Sequence, residues 1–278
     1  MSAILPPDIK KMVTFLFDAE DPPSPLGTGF WVGFPKQDEP GTVFGYIVTA
    51  RHVIKGHDRL RARMNLVPES GSLGFADIEI ACGPHQVLYH PNCAVDIAAI
   101  PYVPHATAGV DLLAIPKELF ATSDFRLREE VGEGDEVFFL GLMPQFFGNL
   151  RNYPVVRHGR IALMTDEPFH TDKGPATFIY IEANSYRGNS GSPVFLRFGA
   201  TRKPDAITLP SSGRDQIMLL GVMHGYLPQV GPVEHVTATE PGKTLAFLEN
   251  INIAMVVPVD YLAELLDSPE AKARRGES

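Results

Sequence analysis

Apolar and polar residues alternate in short runs along most of this chain, the signature of half-buried strands. Met12-Val13-Thr14-Phe15-Leu16-Phe17 opens the series, and further strands are predicted at about 27–34, 42–50, 59–66, 76–81 and 96–102, separated by Gly, Pro or charged clusters. The stretch from Pro104 to Arg128 loses the period of two and contains Ala114–Phe120, which reads as one helical turn, so the stretch reads as the crossing between halves. A second series begins at Glu136-Val137-Phe138-Phe139-Leu140 and continues at about 154–163, 177–183, 193–198, 216–224 and 249–257. Beyond it, Val259, Leu262, Leu265 and Leu266 fall on one face at helical spacing and predict a closing helix. Many short, evenly punctuated strands define an all-β barrel or sandwich.

One stretch stands apart from this pattern. In Arg187-Gly188-Asn189-Ser190-Gly191-Ser192-Pro193-Val194-Phe195 two glycines bracket a serine just before a buried strand. Such a turn can aim backbone N–H groups at a negative oxygen instead of at a sheet neighbour. Serine is a weak nucleophile without a base and a group that orients the base. The chain offers His52, just past the strand Tyr46-Ile47-Val48-Thr49, and Asp96, a single charge inside Ala94-Val95-Asp96-Ile97-Ala98-Ala99-Ile100. A lone carboxylate in an apolar run is costly to bury unless it is hydrogen-bonded, and His52 is the natural partner. The bland reading of Ser190 is a turn serine without chemistry, since Gly-Asn-Ser-Gly is common in loops. His57, His85, His90, His105, His170 and His235 have no partner motif and read as loop histidines.

The order His, Asp, Ser is that of the chymotrypsin-type triad. Thr49-Ala50-Arg51-His52-Val53 resembles the family's TAxHV box, Asp96-Ile97-Ala98 its DIA box, and Gly188-Asn189-Ser190-Gly191-Ser192-Pro193 the GNSGSP box of bacterial members. Gly27-Thr28-Gly29-Phe30-Trp31-Val32 and Val155-Val156-Arg157-His158-Gly159-Arg160-Ile161 are similar to strands of high-temperature-requirement (HtrA-type) proteases. The resemblance spans most of residues 12 to 266. It implies two six-stranded antiparallel β-barrels of the chymotrypsin type with a C-terminal helix: a first barrel over 12–105, the crossing over 106–128, a second barrel over 129–257 and the helix over 258–267. It implies a serine endopeptidase in which His52 is the base, Asp96 orients it, Ser190 attacks, and the Gly188 and Ser190 N–H groups form the oxyanion hole. No PDZ-like domain is expected after the helix.

The resemblance also addresses specificity and control. Asn184, six residues before Ser190, matches the base of the primary pocket, and a neutral amide gives no counter-charge to a Lys or Arg side chain. Met223, His224 and Tyr226 complete the candidate pocket. His224 invites comparison with the carboxylate-binding histidine of glutamyl endopeptidases, but it stands one residue later. In a strand that shift turns it to the other face, toward Asp96 or the barrel side. Asn189 replaces the aspartate that pairs with a new N-terminus in digestive relatives, so no trypsinogen-style activation is expected. Control then falls to the long loops at 200–215 and 227–243, or to a regulatory protein partner.

Composition narrows the remaining choices. Of 278 residues, 44% are hydrophobic and 21% charged, which is ordinary globular material. A net charge of -9 excludes a general nucleic-acid surface, and the one basic cluster, Lys272, Arg274 and Arg275, reads as a solvated tail. No apolar run approaches the length of a bilayer span, and no leader pattern opens the chain, so no membrane contact and a cytoplasmic setting are expected. Cys82 and Cys93 are expected to be free thiols; no metal spacing and no cofactor motif are present in the sequence. The expected partner is a polypeptide substrate. Two rival readings stay open: a catalytically silent pseudoprotease that binds peptides, and an esterase-like hydrolase.

Overall fold

The computed structural model describes residues 5–20, 23–36, 43–68, 72–105, 108–198, 216–231 and 247–277. The first half is a sheet built from β1 (Val13–Asp18), β2 (Pro25–Pro35), β3 (Val43–Thr49), β4 (Arg59–Asn65), β5 (Phe75–Ala81), β6 (Leu88–Tyr89) and β7 (Ala98–Pro101), with β8 (Ile115–Pro116) laid parallel on β2. Its order is β5-β4-β1-β2-β3-β7-β6. A single helical turn, α1 (Arg51–Ile54), follows β3. The half therefore has eight strands where the alternation marks six. β6 and β8 are two residues each, too short to leave a period.

The second half closes into a barrel in the order β10-β13-β16-β15-β14-β9, formed by β9 (Glu136–Gly141), β10 (Val155–Met164), β13 (Ile179–Glu182), β14 (Pro193–Phe198), β15 (Gln216–Gly231) and β16 (Phe247–Pro258). β11 (Phe169–Thr171) and β12 (Gly174–Ala176) make a small hairpin to one side. This is the chymotrypsin-type all-β fold, but in place of two six-stranded antiparallel barrels only the second half closes among the described residues; the first is an eight-stranded sheet with one parallel pair. Each half has its own apolar core, and a third cluster runs between them through Val48, Val95, Phe138, Phe195 and Val222. Fully buried side chains of this kind contribute about 1.5–3 kcal/mol each, so the junction of the halves is an apolar contact that fixes their relation.

Between the halves lies α2 (Ser123–Arg128), and two helices follow β16: α3 (Val259–Leu266) and α4 (Pro269–Arg275). α3 buries Val259, Leu262, Leu265 and Leu266, the face that their spacing defines. α4 overturns the reading of the basic cluster as a solvated tail. The Arg275 side chain is only 3% exposed. It donates to the Leu266 carbonyl at 2.8 Å and the Tyr46 hydroxyl at 3.1 Å, pairs with Glu277, and lies over the Phe34 ring. A guanidinium satisfies several acceptors in one plane, which lets this one be buried where an isolated charge could not be.

The loop expected over 200–215 lies outside the described residues, as does most of the loop over 227–243 and His235. The first part of the latter is not loop: β15 continues to Gly231, paired to β16 as far as Gly231 with Phe247.

Candidate active site

The sequence turns sharply where β14 begins because two glycines take conformations that L side chains rarely adopt: Gly188 at φ +91° and Gly191 at φ +82°. A Cβ on Gly191 would collide with the Thr28 carbonyl and the Thr49 hydroxyl. The turn is tied to the first half by Thr28 in β2. Its hydroxyl donates to the Gly188 carbonyl at 2.8 Å and accepts the Leu142 N–H at 2.9 Å, while its own N–H donates to the Ser190 carbonyl at 2.9 Å. Thr49 in turn donates to the Thr28 carbonyl at 2.7 Å. Sequence reasoning assigned Thr28 only to a strand; nothing local signals a bond across 160 positions.

Asn189 is buried, and its side chain braces the turn. Its amide nitrogen donates to the Leu142 carbonyl at 3.0 Å and its oxygen accepts the Tyr186 N–H at 3.0 Å. The turn is thereby set from inside the chain. With the carbonyls of Gly188 and Ser190 engaged by Thr28, the N–H groups of Gly188 and Ser190 have no hydrogen-bond partner among the described residues. Ser192 is fully buried, and its hydroxyl has no hydrogen-bond partner among the described residues.

His52 sits in α1 and Asp96 in the segment before β7. The His52 backbone N–H donates to Asp96 Oδ1 at 2.9 Å and its ring Nδ1 lies 2.6 Å from Oδ2. His224 of β15 brings its own Nδ1 to the same Oδ2, also at 2.6 Å. The carboxylate is 8% exposed, against 42% for the His52 side chain and 32% for His224. Burial opposes its ionisation, yet the hydrogen bonds from His224 and His52 outweigh burial and hold the Asp96 carboxyl well below the usual carboxylate range. The three groups could ligate a metal by type, all three ligand atoms lying within 4.8 Å of one another. The 2.6 Å contacts are hydrogen-bond lengths, however, shorter than the roughly 3.3 Å that ligands around one tetrahedral zinc keep between them.

Ser190 Oγ donates to the main-chain carbonyl of His224 at 3.0 Å. It makes no hydrogen bond to His52 among those described. His52, Asp96, Ser190 and His224 thus meet at one place, linked through His224. The other candidate pocket residues do not converge there. Met223 is fully buried in the second-barrel core, and what it turns to the site is backbone, pairing with Gly191 and Ser192. Tyr226 is half-buried further along β15. Asn184 is exposed and lines a groove of about 920 Å³ with Glu136, His158, Arg160, Glu182 and Asn252. A cavity of about 290 Å³ beside the turn, lined by Leu142, Met143, Arg157, Tyr186, Arg187 and Asn189, was not signalled by any motif.

Cys82 and Cys93 are both free, and burial pushes the Cys82 thiol up to about 12. His90, expected to be a partnerless loop histidine, is buried and meets Glu264 of α3 at 3.1 Å. No described helix is long and apolar enough to cross a membrane.

No protein-family model matches the chain, and no curated protein matches it. Solved structures do. The MamO protease domain from Magnetospirillum magneticum, in its apo form, is 16% identical at a TM-score of 0.53, with 94% of this chain and 99% of that one covered. The Rv3671c protease of M. tuberculosis in its active form is 17% identical at 0.50, covering 98% and 85%. The HtrA-type protease AlgW, solved with a decapeptide, is 13% identical at 0.50, covering 98% and 75%. The chain has the fold of trypsin-like protease domains of the HtrA type.

Proposed function

We propose that this chain is a serine endopeptidase, acting on polypeptides through His52, Asp96 and Ser190. The observation that carries the reading is the convergence of an Asp-bound imidazole and a glycine-flanked serine whose neighbouring N–H groups have no partner among the described residues. With Nδ1–H donated to Asp96, His52 presents Nε2 as a lone pair, the form needed to take the Ser190 proton. Ser190 Oγ then attacks the peptide carbonyl, the N–H groups of Gly188 and Ser190 receive the oxyanion, and His52 returns the proton to the leaving amine. An acyl-enzyme forms and water releases it. No cofactor enters this scheme. Residues 12–105 and 129–257 supply the two halves of the cleft, with 106–128 crossing and 258–267 closing. A cytoplasmic setting accompanies the reading, on the strength of two unpaired thiols.

For specificity, the uncharged main chain of Met223 and His224 walls the place beside Ser190 and favours an uncharged residue on the acyl side of the cut, while Asn184, exposed in a separate groove, takes no part. A charged side chain without a partner there is costly to desolvate. Cleavage of a peptide series varied only at that residue tests this, and a clear preference for Arg or Glu would refute the pocket.

One observation favours a second reading, a catalytically silent peptide-binding module: Ser190 Oγ rests on the His224 carbonyl rather than on His52. Hydrogen bonds of this kind often tighten only with substrate bound. Fluorophosphonate labelling of Ser190 separates the two readings, because only an activated serine reacts.

A further inference from the structure

Two imidazoles claim one oxygen of Asp96. His52 Nδ1 and His224 Nδ1 each lie 2.6 Å from Oδ2, and Oδ1 is taken by the His52 backbone N–H. Both contacts are made when each Nδ1 carries a proton, which leaves the Nε2 of each ring as its basic site. The His224 ring is held in place, edge-on to His52 with centroids 5.5 Å apart and tilted on Phe178 at 5.7 Å. Its carbonyl accepts the Ser190 hydroxyl. A single residue therefore touches both the acid and the nucleophile.

We infer that His224 is a positioning residue of this site, sharing the Asp96 carboxylate with His52 and supporting turnover only while its own ring is neutral. The inference rests on the serine-endopeptidase reading. Asp96 must orient His52 and then stabilise the imidazolium that forms when Ser190 gives up its proton. When His224 takes a proton at Nε2, Asp96 already faces one cation, and a second must form on His52 beside it; like charges at that range oppose each other. Among the described residues, the titratable groups facing His224 are Asp96, from the segment before β7, and His52, from α1; Phe178 brings no charge. Partial exposure lets solvent protons reach the ring.

The test uses the full chain and two variants. In His224→Asn an amide nitrogen can stand near the place of Nδ1, donating to Asp96 without ever becoming charged. In His224→Ala the donor is gone. The rate of fluorophosphonate labelling at Ser190 is followed from pH 4.5 to 8. The wild-type acid limb should approach a slope of two in log rate against pH, and that of His224→Asn a slope of one. Toward the low end His224→Asn should retain more of its own plateau rate than wild type, about tenfold more for each pH unit over which wild type alone falls with the second slope. His224→Ala should lose about tenfold at the plateau, and His224→Asn should restore it. Equal slopes in wild type and His224→Asn, or an alanine variant that matches wild type at every pH, would overturn the inference. If wild type is not labelled at any pH, the endopeptidase reading fails instead, and proton NMR decides the shared carboxylate. Two downfield imidazole N–H signals, one lost in His224→Asn and the other in His52→Asn, support it; a single signal overturns it.

Discussion

The Thr28 hydroxyl, in the first half of the chain, donates at 2.8 Å to the carbonyl of Gly188, in the glycine-flanked serine turn of the second. The same hydroxyl accepts the Leu142 N–H, so one side chain fixes both sides of the turn. Thr28→Val keeps the shape and removes the bonds, leaving a buried carbonyl and a buried N–H without their partner. Each such loss costs about 1–3 kcal/mol. The midpoint of urea unfolding should fall accordingly, and peptidase turnover should fall with it because the N–H groups proposed to receive the oxyanion lose their anchor. A variant as stable and active as wild type would show that the contact between the halves is idle.

Asn189 should be irreplaceable by aspartate, although the two are nearly the same size. The amide donates to Leu142 and accepts from Tyr186, and a carboxylate can only accept. Asn189→Asp would set a negative oxygen against the Leu142 carbonyl and disturb the N–H groups aimed at the oxyanion. Losing one such donor typically lowers kcat about a hundred- to a thousandfold. Steady-state kinetics on a peptide substrate check this, and unchanged kcat would show that the turn is set elsewhere.

Stability should depend on acid through Asp96. Its folded carboxyl titrates below its unfolded value, held there by the two imidazoles against the opposing effect of burial. The stabilisation is therefore complete above the ordinary carboxylate value of about 3.9 and is lost as the pH falls from there toward the lowered folded value. Asp96→Asn should flatten that part of the stability profile. Unfolding free energies from pH 2 to 7 for both proteins are the check, and identical acid limbs would contradict it.

Arg275 makes a prediction far from the chemistry. It joins α4 to Tyr46 of β3 and to the end of α3 with its charge paired to Glu277. Arg275→Ala leaves the Tyr46 hydroxyl and the Leu266 carbonyl without this donor and removes packing from the Phe34 ring. Thermal unfolding should shift down by several degrees, with the labelling rate of Ser190 unchanged at 25 °C. No shift in unfolding would mean that α4 is not fastened by this residue.

What was legible in the sequence followed from how local each signal is. Strand alternation marks β1 to β5, β7 and the six strands of the closed barrel because each runs four residues or more. β6, β8, β11 and β12 leave no period. The glycine-bracketed serine is visible because φ above zero demands glycine within the motif itself. His224 stands at an irregularity of β15, where the pairing with β16 shifts between Met223 and Gly225, and a one-dimensional pattern cannot say that its nitrogen reaches the same oxygen as His52. Thr28 and Arg275 were hidden for a different reason: their partners lie 160 and 229 positions away, and hydrogen bonds of that separation are a property of the packed halves. Met223 illustrates the converse, an apolar strand residue equally suited to a pocket wall and to a core, which the packing assigns to the core.

The most direct test of the central claim is the labelling of Ser190 by a fluorophosphonate, read by mass spectrometry of the intact chain and of its Ser190→Ala and His52→Ala variants. The account predicts one adduct on wild type, at Ser190, with no adduct on Ser190→Ala and nearly none on His52→Ala, since the base and the nucleophile act as a unit. Peptidase turnover should disappear in parallel. An unlabelled wild-type chain, or one labelled equally well without His52, would contradict it.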